Sequence, residues 1–170
     1  MKNLTSESNG KITLYAQWKP ITSVTVNYTN ESFDFGAVTQ YYSYQIKLSD
    51  YFDVNGLAND GYKTMHVTFH HKVTVNGDHL KTDSYGWYGY LQDNGIINNL
   101  DKMLYEIDEK IKIDNNSSKT FSYSGSTSIS NVCNGNYYVG LSVQLYAWGG
   151  LDFLNKGNIS ETYITVEFRK

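Results

Sequence analysis

Alternation of apolar and polar residues with a period of two dominates this chain of 170 residues. Within residues 63–75, for example, Met65, Val67 and Phe69 alternate with Thr and His side chains. Successive side chains of a β-strand point to opposite faces, so this period is typical of strands that bury one face. Similar alternation occurs in residues 12–18, 22–28, 38–48, 103–113, 137–147 and 162–168.

Turn-forming dipeptides that tolerate a positive φ separate these segments. They are Asn55-Gly56, Asp60-Gly61, Asn76-Gly77, Asn94-Gly95 and Asn134-Gly135. Short strands with turns at this spacing predict an all-β fold, an antiparallel β-sandwich of the jelly-roll or immunoglobulin-like type. We interpret Gly125 as a turn between two shorter strands. At most one short helix is expected, within residues 96–105, where Ile96, Ile97, Leu100 and Leu104 have helical spacing.

Composition excludes several classes of protein. The 14 basic and 17 acidic residues give a net charge of −3, and no basic cluster is present to neutralise phosphates, so we expect no nucleic-acid partner. Apolar runs are only a few residues long, so no membrane insertion is expected. Aromatic residues make up 15% of the chain, which argues against intrinsic disorder.

Pro20, the only proline, predicts a boundary in the chain. We expect residues 1–20 to form an N-terminal tail with the last strand of a preceding repeat, and residues 21–170 to form the sandwich domain. Residues 1–10 are polar and lack the apolar segment of a signal peptide. Either the protein is cytoplasmic, or the sequence is a fragment of a longer exported chain.

Residues 11–19 (Lys-Ile-Thr-Leu-Tyr-Ala-Gln-Trp-Lys) resemble the last strand of the internalin-type B-repeat, also called the Listeria–Bacteroides repeat. These repeats commonly close with a Thr-Leu-Tyr-Ala-x-Trp string and occur in tandem on large surface proteins of Gram-positive bacteria and some gut anaerobes. The resemblance covers nine residues only. It implies that the chain begins at the tail of one repeat and continues into a different β domain of a modular, exported surface protein.

Most candidate catalytic and metal-binding residues have a simpler structural interpretation. His66 and His70 are four residues apart, about 13 Å along a strand, which is too far for one metal ion. We interpret the histidines as surface residues, although His71 falls on an apolar face and marks either a bulge or the rim of the core. Cys133 has no neighbouring catalytic string, so we expect a small buried side chain.

The acidic residues give two further alternatives. Glu106 and Asp108 share a strand face, as the paired carboxylates of a glycoside hydrolase would, but Lys110 and Lys112 lie on the same face, which favours a solvated surface. The loop of residues 50–60 is rich in oxygen ligands that calcium prefers, although turn formation explains the same residues. These ligands are Asp50, Asp53, Asn55, Asn59 and Asp60. We expect no catalytic residues, no metal site and no cofactor, with calcium as the alternative. A Lys–Asn isopeptide bond is a further alternative that no sequence string identifies.

The aromatic residues are the most informative. Residues 85–90 place rings on both sides of a strand, and only one side can easily be core. Tyr138, Tyr146 and Trp148 lie opposite an apolar face that is already complete. Exposed rings can stack on sugars or anchor a protein interface, while the alternative is that they are covered by a second layer or by loops. The predicted carbohydrate platform, for the carbohydrate-binding alternative, consists of Trp87, Tyr88, Tyr90, Tyr146 and Trp148.

These observations predict a non-enzymatic module of a secreted or cell-wall-anchored bacterial surface protein, which acts in adhesion or as a structural spacer. The expected location is extracellular, on the bacterial cell surface. Expected partners are a host or bacterial glycan, a surface protein and neighbouring domains of the same chain. The alternative function is a carbohydrate-binding module, and a glycoside hydrolase is third.

Overall fold

The computed structural model describes residues 19–35, 40–76, 85–93, 106–107, 117–145 and 155–170, which form two antiparallel β-sheets. Sheet A contains β1 (Ser23–Asn27), β2 (Glu31–Phe35), β4 (Thr64–Asn76), β7 (Ser117–Ser128) and β9 (Asn155–Arg169). Sheet B contains β3 (Gln40–Lys47), β5 (Tyr85–Asp93), β6 (Glu106–Ile107) and β8 (Tyr137–Leu145). The predicted all-β sandwich is therefore confirmed.

The strand order shows which type of sandwich this is. β1 and β2 pair with successive parts of β9 in one continuous register, Asn27 opposite Tyr163 and Glu31 opposite Ile159, so they act as one broken strand. The remaining pairs are nested: β3 with β8, β4 with β7, and β5 with β6. Nested pairs of this kind form when one long antiparallel hairpin folds over on itself. The folding brings β9 into a second pair with β4, and β8 into a second pair with β5. This is the jelly roll.

The core lies between the two sheets and consists of the apolar sides of the alternating strands. β4 contributes Met65, Val67, Phe69 and Val73, all with no exposed surface. Gly89 on β5 lies against the Phe69 ring, and a Cβ at this position would overlap that ring. The close approach of the two sheets at this point therefore depends on a residue without a side chain.

A β-bulge interrupts the centre of sheet A. The register of β4 on β9 shifts between His70 and Lys72, so that Glu161 and Thr162 lie opposite His71 alone. Glu161 adopts a φ of 52°, a left-handed conformation that costs free energy for a residue other than glycine. The Lys72 ammonium donates to the Glu161 carboxylate at 2.9 Å on the outer face of the sheet. The bulge suggested by the sequence at His71 is confirmed, but His71 is buried rather than at the rim.

The helix and one turn differ from the sequence-based predictions. The described residues include one α-helix, α1 (Val54–Asn59), and two single 3-10 turns, Leu48–Asp50 and Ile129–Asn131. α1 begins where Asp53 caps it by accepting a hydrogen bond from the Gly56 N–H at 2.9 Å. The prediction of a turn at Asn55-Gly56 is therefore wrong, and the predicted helix at residues 96–105 lies outside the described residues. β7 runs unbroken through Gly125, so the two short strands predicted there form a single long strand.

Candidate functional site

The described side chains on the outer face of sheet B form a polar and aromatic surface. Its side chains lie in two neighbouring rows across β3, β8 and β5. We call the group the Tyr90 patch and define it as Gln45, Lys47, Tyr90, Gln92 and Tyr138. Lys47 is its only charged member, and its ammonium lies 6.0 Å from the centre of the Tyr138 ring. Uncharged amides beside aromatic rings are suited to a neutral, hydroxyl-rich ligand.

Gly140 determines the position of the Tyr90 ring. It lies on β8 directly between Gln45 and Tyr90, and a Cβ at this position would overlap the outer half of that ring. The ring therefore extends across the strand, over the glycine. The Gln45 amide then donates to the Tyr90 hydroxyl and lies 3.4 Å from the Gln92 side-chain oxygen. The ring is thus held in place, and a side chain fixed in advance would lower the entropy cost of binding a ligand.

Tyr28, in the connection between β1 and β2, supports the patch from the side of the core. The Tyr28 hydroxyl donates to the Gln45 carbonyl oxygen at 2.8 Å, and its ring contacts Tyr44 with centroids 5.1 Å apart. Burial, and then the charges of Tyr51 and Tyr90, raise the pKa of Tyr28. Burial chiefly raises the pKa of Tyr44 to about 12. Both phenols are therefore protonated at neutral pH, and Tyr28 remains a donor to the strand that carries Gln45.

Of the predicted carbohydrate platform, the two residues whose side chains are described, Trp87 and Tyr90, lie on opposite faces of β5. Trp87 is in the core, with 3% of its surface exposed, so its assignment to an exposed stacking surface is corrected. Its own strand places it on the inner face, where it packs beside Phe121. Tyr90 is half-buried on the outer face. Tyr88 lies in β5, but its side chain is outside the described part of the structure, as are Tyr146 and Trp148 entirely.

The other members of the Tyr90 patch, and Gly140 beneath its ring, were not part of the predicted platform. Tyr138 does lie on the face opposite the apolar set of β8, as its position in the alternation predicts. The neighbouring Ser142 is only 3% exposed, so the outer face is covered at this position and is not a continuous exposed surface of aromatic rings. Sequence reasoning missed Gly140, although an isolated glycine within an alternating strand is a signal of close approach by another group.

The histidines occupy two different environments. His70 lies on the outer face of sheet A, stacked on Tyr163 with ring centroids 4.6 Å apart. His71 has no exposed surface and lies against Phe121 and Trp87, 5.0 and 5.2 Å between centroids, so its interpretation as a surface residue is wrong. Burial, and to a lesser extent the charge of His70, lower the pKa of His71 to about 3. His71 is therefore neutral near pH 7 and acts as part of the core.

A cavity of about 160 Å³ opens beside α1, at the end of the sandwich. It includes two residues of the suggested calcium loop, Asp53 and Asn55, but both already have partners. The Asp53 carboxylate caps α1, and the Asn55 side-chain oxygen accepts from the Asn134 N–H at 3.1 Å. Within the described residues, no group of three or more His, Cys, Asp or Glu side chains is placed to hold a metal ion.

The remaining candidates are Cys133 and the strand that contains Glu106. The Cys133 thiol is half-buried and donates to the Ile129 carbonyl oxygen at 3.2 Å. Glu106 belongs to β6. The residues predicted to share its strand face, Asp108, Lys110 and Lys112, lie outside the described residues. Among the helices that the structure describes, none has the length and apolar character needed to cross a membrane.

Comparison with known proteins gives a fold and no family. No protein-family model and no curated protein matches the chain. The structure of the Gt strain of infectious bursal disease virus matches with a TM-score of 0.50 and 9% identity, over 99% of this chain and 40% of the viral chain. The VP2 subviral particle of the same virus gives 0.46 and 8%, over 100% and 42%. This chain thus spans less than half of the viral chains, and the first match shows a similar fold alone.

Proposed function

We propose that this chain is a non-enzymatic module of a secreted or cell-wall-anchored bacterial surface protein, located outside the cell, and that it acts in adhesion. The B-repeat resemblance of residues 11–19 supports the surface location. The observation that carries the adhesion role is the position of the first and last described strands. β1 and β9 are antiparallel neighbours, and the Phe168 N–H donates to the Thr22 carbonyl oxygen at 2.7 Å.

This arrangement favours adhesion over a spacer. Residues 19–22 and residue 170 lie at the same end of the sandwich, so a longer polypeptide would enter and leave the domain at one point. The domain would then project sideways from the path of the chain and add little to its length. A projecting domain exposes its outer faces, including the Tyr90 patch, to a glycan or a surface protein.

The alternative function is a carbohydrate-binding module, and the Tyr90 patch favours it. The Tyr90 ring is fixed over Gly140, and the amides of Gln45 and Gln92 lie beside it. Paired ring stacking and amide hydrogen bonds are what a neutral sugar requires, since it has an apolar face and a rim of hydroxyls. Tyr146 and Trp148 remain predicted members of this site.

A glycan array with the purified protein tests the carbohydrate alternative. We expect a hit to disappear in Tyr90→Ala and to weaken in Gly140→Ala, which displaces the ring without removing it. Trp148→Ala tests the sequence-based platform separately. Tyr163→Ala, which removes a ring from the outer face of sheet A, is the matched control and should leave binding intact. A hit that Tyr90→Ala does not affect would place the sugar site elsewhere on the protein.

Adhesion itself is tested with cells. Fluorescently labelled protein should bind host epithelial cells or bacterial cells, measured by flow cytometry, and an excess of unlabelled protein should abolish the signal. Binding that Tyr90→Ala removes without any glycan hit would indicate a protein partner at the same patch. A blank array together with no saturable binding to either kind of cell would contradict the adhesion proposal.

A further inference from the structure

Among the described parts of the chain, β7 is the long strand at one edge of sheet A. Among the strands that the structure describes, it pairs with β4 only. Its twelve residues contain no proline, and Lys119 is the only charged one. Its outward side chains are small hydroxyls, and all are exposed where they are described. They are Ser118, Thr120, Ser122, Ser124, Ser126 and Ser128.

The opposite edge of sheet A is protected in the usual ways. There the edge strand is broken into β1 and β2, each of five residues, and it carries Glu31 and Asp34. Natural proteins use short strands, breaks and charges to prevent edge-to-edge pairing, since an edge strand presents unpaired backbone groups to other chains. β7 lacks these devices from Thr120 to Ser128. An edge left in this condition is suited to a partner strand.

We propose that β7 pairs with β7 of a second copy of this chain, antiparallel and about a two-fold axis at Ser124. This interaction is independent of the proposed adhesion function. Antiparallel pairing of identical strands is self-complementary, which is the usual geometry of a symmetric dimer. It joins the two A sheets into one continuous sheet, and the outer face of sheet B, with the Tyr90 patch, lies outside the interface on both copies.

The sequence of β7 fits this register. With Ser124 on the axis, each Tyr123, whose ring packs beside Trp87 on the inner face, lies opposite Gly125 of the second copy, so a large residue faces one without a side chain. Ser122 then faces Ser126, so hydroxyls meet hydroxyls on the outer face. The paired residues are 120–128 of each copy. Lys119 lies just past the end of this segment, next to the uncharged Ile129 of the second copy, so no like charges face each other. The Thr68–Ser124 hydroxyl pair, 2.7 Å apart, shows the same contact already present within sheet A.

The expected dimer is weak. One strand pair covers less area than a stable protein interface of about 1,200–2,000 Å², so we expect a Kd between about 10 µM and 1 mM. Sedimentation velocity across that concentration range measures it directly. Ser124→Lys places two ammonium groups opposite each other at the axis and should weaken dimerisation at least about tenfold.

Thr25→Lys is the matched control. Thr25 lies on the same outer face at the other edge and also forms a hydroxyl pair, with Thr165 at 2.8 Å, so the same chemistry is changed without touching β7. It should dimerise like the unchanged protein. Circular dichroism and the Tm of both variants establish that they are folded.

A cross-link tests the register independently. In a Cys133→Ser background, Ser124→Cys should form a disulfide dimer on mild oxidation, because residues facing each other across an antiparallel pair have a suitable Cα separation. Thr25→Cys should not. A protein that remains monomeric throughout the concentration range would overturn the proposal. So would a dimer that persists in folded Ser124→Lys, since its interface would lie elsewhere.

Discussion

Acidification should destabilise this protein through His71. The imidazole is buried against Phe121 and Trp87, and its pKa falls from 6.5 to about 3 on folding. Between these two values the unfolded chain binds a proton that the folded chain does not. The stabilising contribution is therefore complete above pH 6.5 and is lost progressively as the pH falls below it.

The size of the effect follows from the distance below 6.5. Each pH unit corresponds to about 1.4 kcal/mol, so the free energy of unfolding should be about 2 kcal/mol lower at about pH 5 than at pH 7. For a domain of this size, that corresponds to a fall in Tm of about 4–8 °C. The exposed carboxylates of Glu161 and Glu167 contribute little to the change in stability between pH 5 and pH 7. Lys72 and Arg169, respectively, hold their pKa values below 4.5, so their contributions are lost only at lower pH.

Urea unfolding of the protein and of His71→Leu at both pH values is the assay. The variant has no titrating group at this position, so most of the pH dependence between pH 5 and 7 should vanish, whatever its stability at pH 7. His70→Gln is the control, because it removes the neighbouring imidazole and leaves the buried one in place. If His71→Leu kept the full slope, the buried imidazole would not be its cause, and the reasoning would be refuted.

Three further predictions concern stability and are measured by urea or thermal unfolding. Gly89→Ala should cost about 1–3 kcal/mol, because the added methyl group overlaps the Phe69 ring. Gly89→Ala should cost less in a Phe69→Leu background than in the unchanged protein, because the smaller side chain leaves room for the methyl group. Equal costs in the two backgrounds would argue against the contact. Asp53→Ala should cost about 1 kcal/mol through loss of the cap on α1, whereas Asp53→Asn, which can still cap, should cost less. Glu161→Asn should be tolerated better than Glu161→Val, because asparagine accepts the left-handed φ of the bulge and a β-branched residue does not.

The strands were predictable because alternation is a local property. The segments that became β1, β3, β4, β8 and part of β9 each show it, and the burial of Met65, Val67 and Phe69 follows directly. The nesting of strands into a jelly roll was not predictable in this way, since it depends on pairs far apart in sequence. The sequence left the jelly roll and the immunoglobulin-like sandwich as equal alternatives, and the pairing of β3 with β8 decides between them.

The errors arose where a residue's type conflicts with its surroundings. Polar His71 and amphipathic Trp87 lie in the core because the bulge and the inner face of β5 place them there. Gly125 suggests a turn, yet its neighbours on both sides pair with β4, so tertiary pairing overrides the local preference. At Gln45 and Tyr90, alternation indicates the shared outer face, but only the fold brings β3 and β5 to opposite sides of Gly140.

The adjacency of β1 and β9 also has a mechanical consequence. Their hydrogen bonds run perpendicular to the strands, and the ends at Thr22 and Phe168 lie side by side. Tension applied through residue 19 and residue 170 would pull these ends apart and load one pair of bonds at a time, beginning with the outermost. The hydrogen bonds would therefore break one after another at low force. Strands that are pulled from opposite ends are sheared, and the force is then shared among all their hydrogen bonds. Single-molecule pulling from these two points should therefore detach β1 first, while pulling between residue 19 and the far end of β4 should require a higher force.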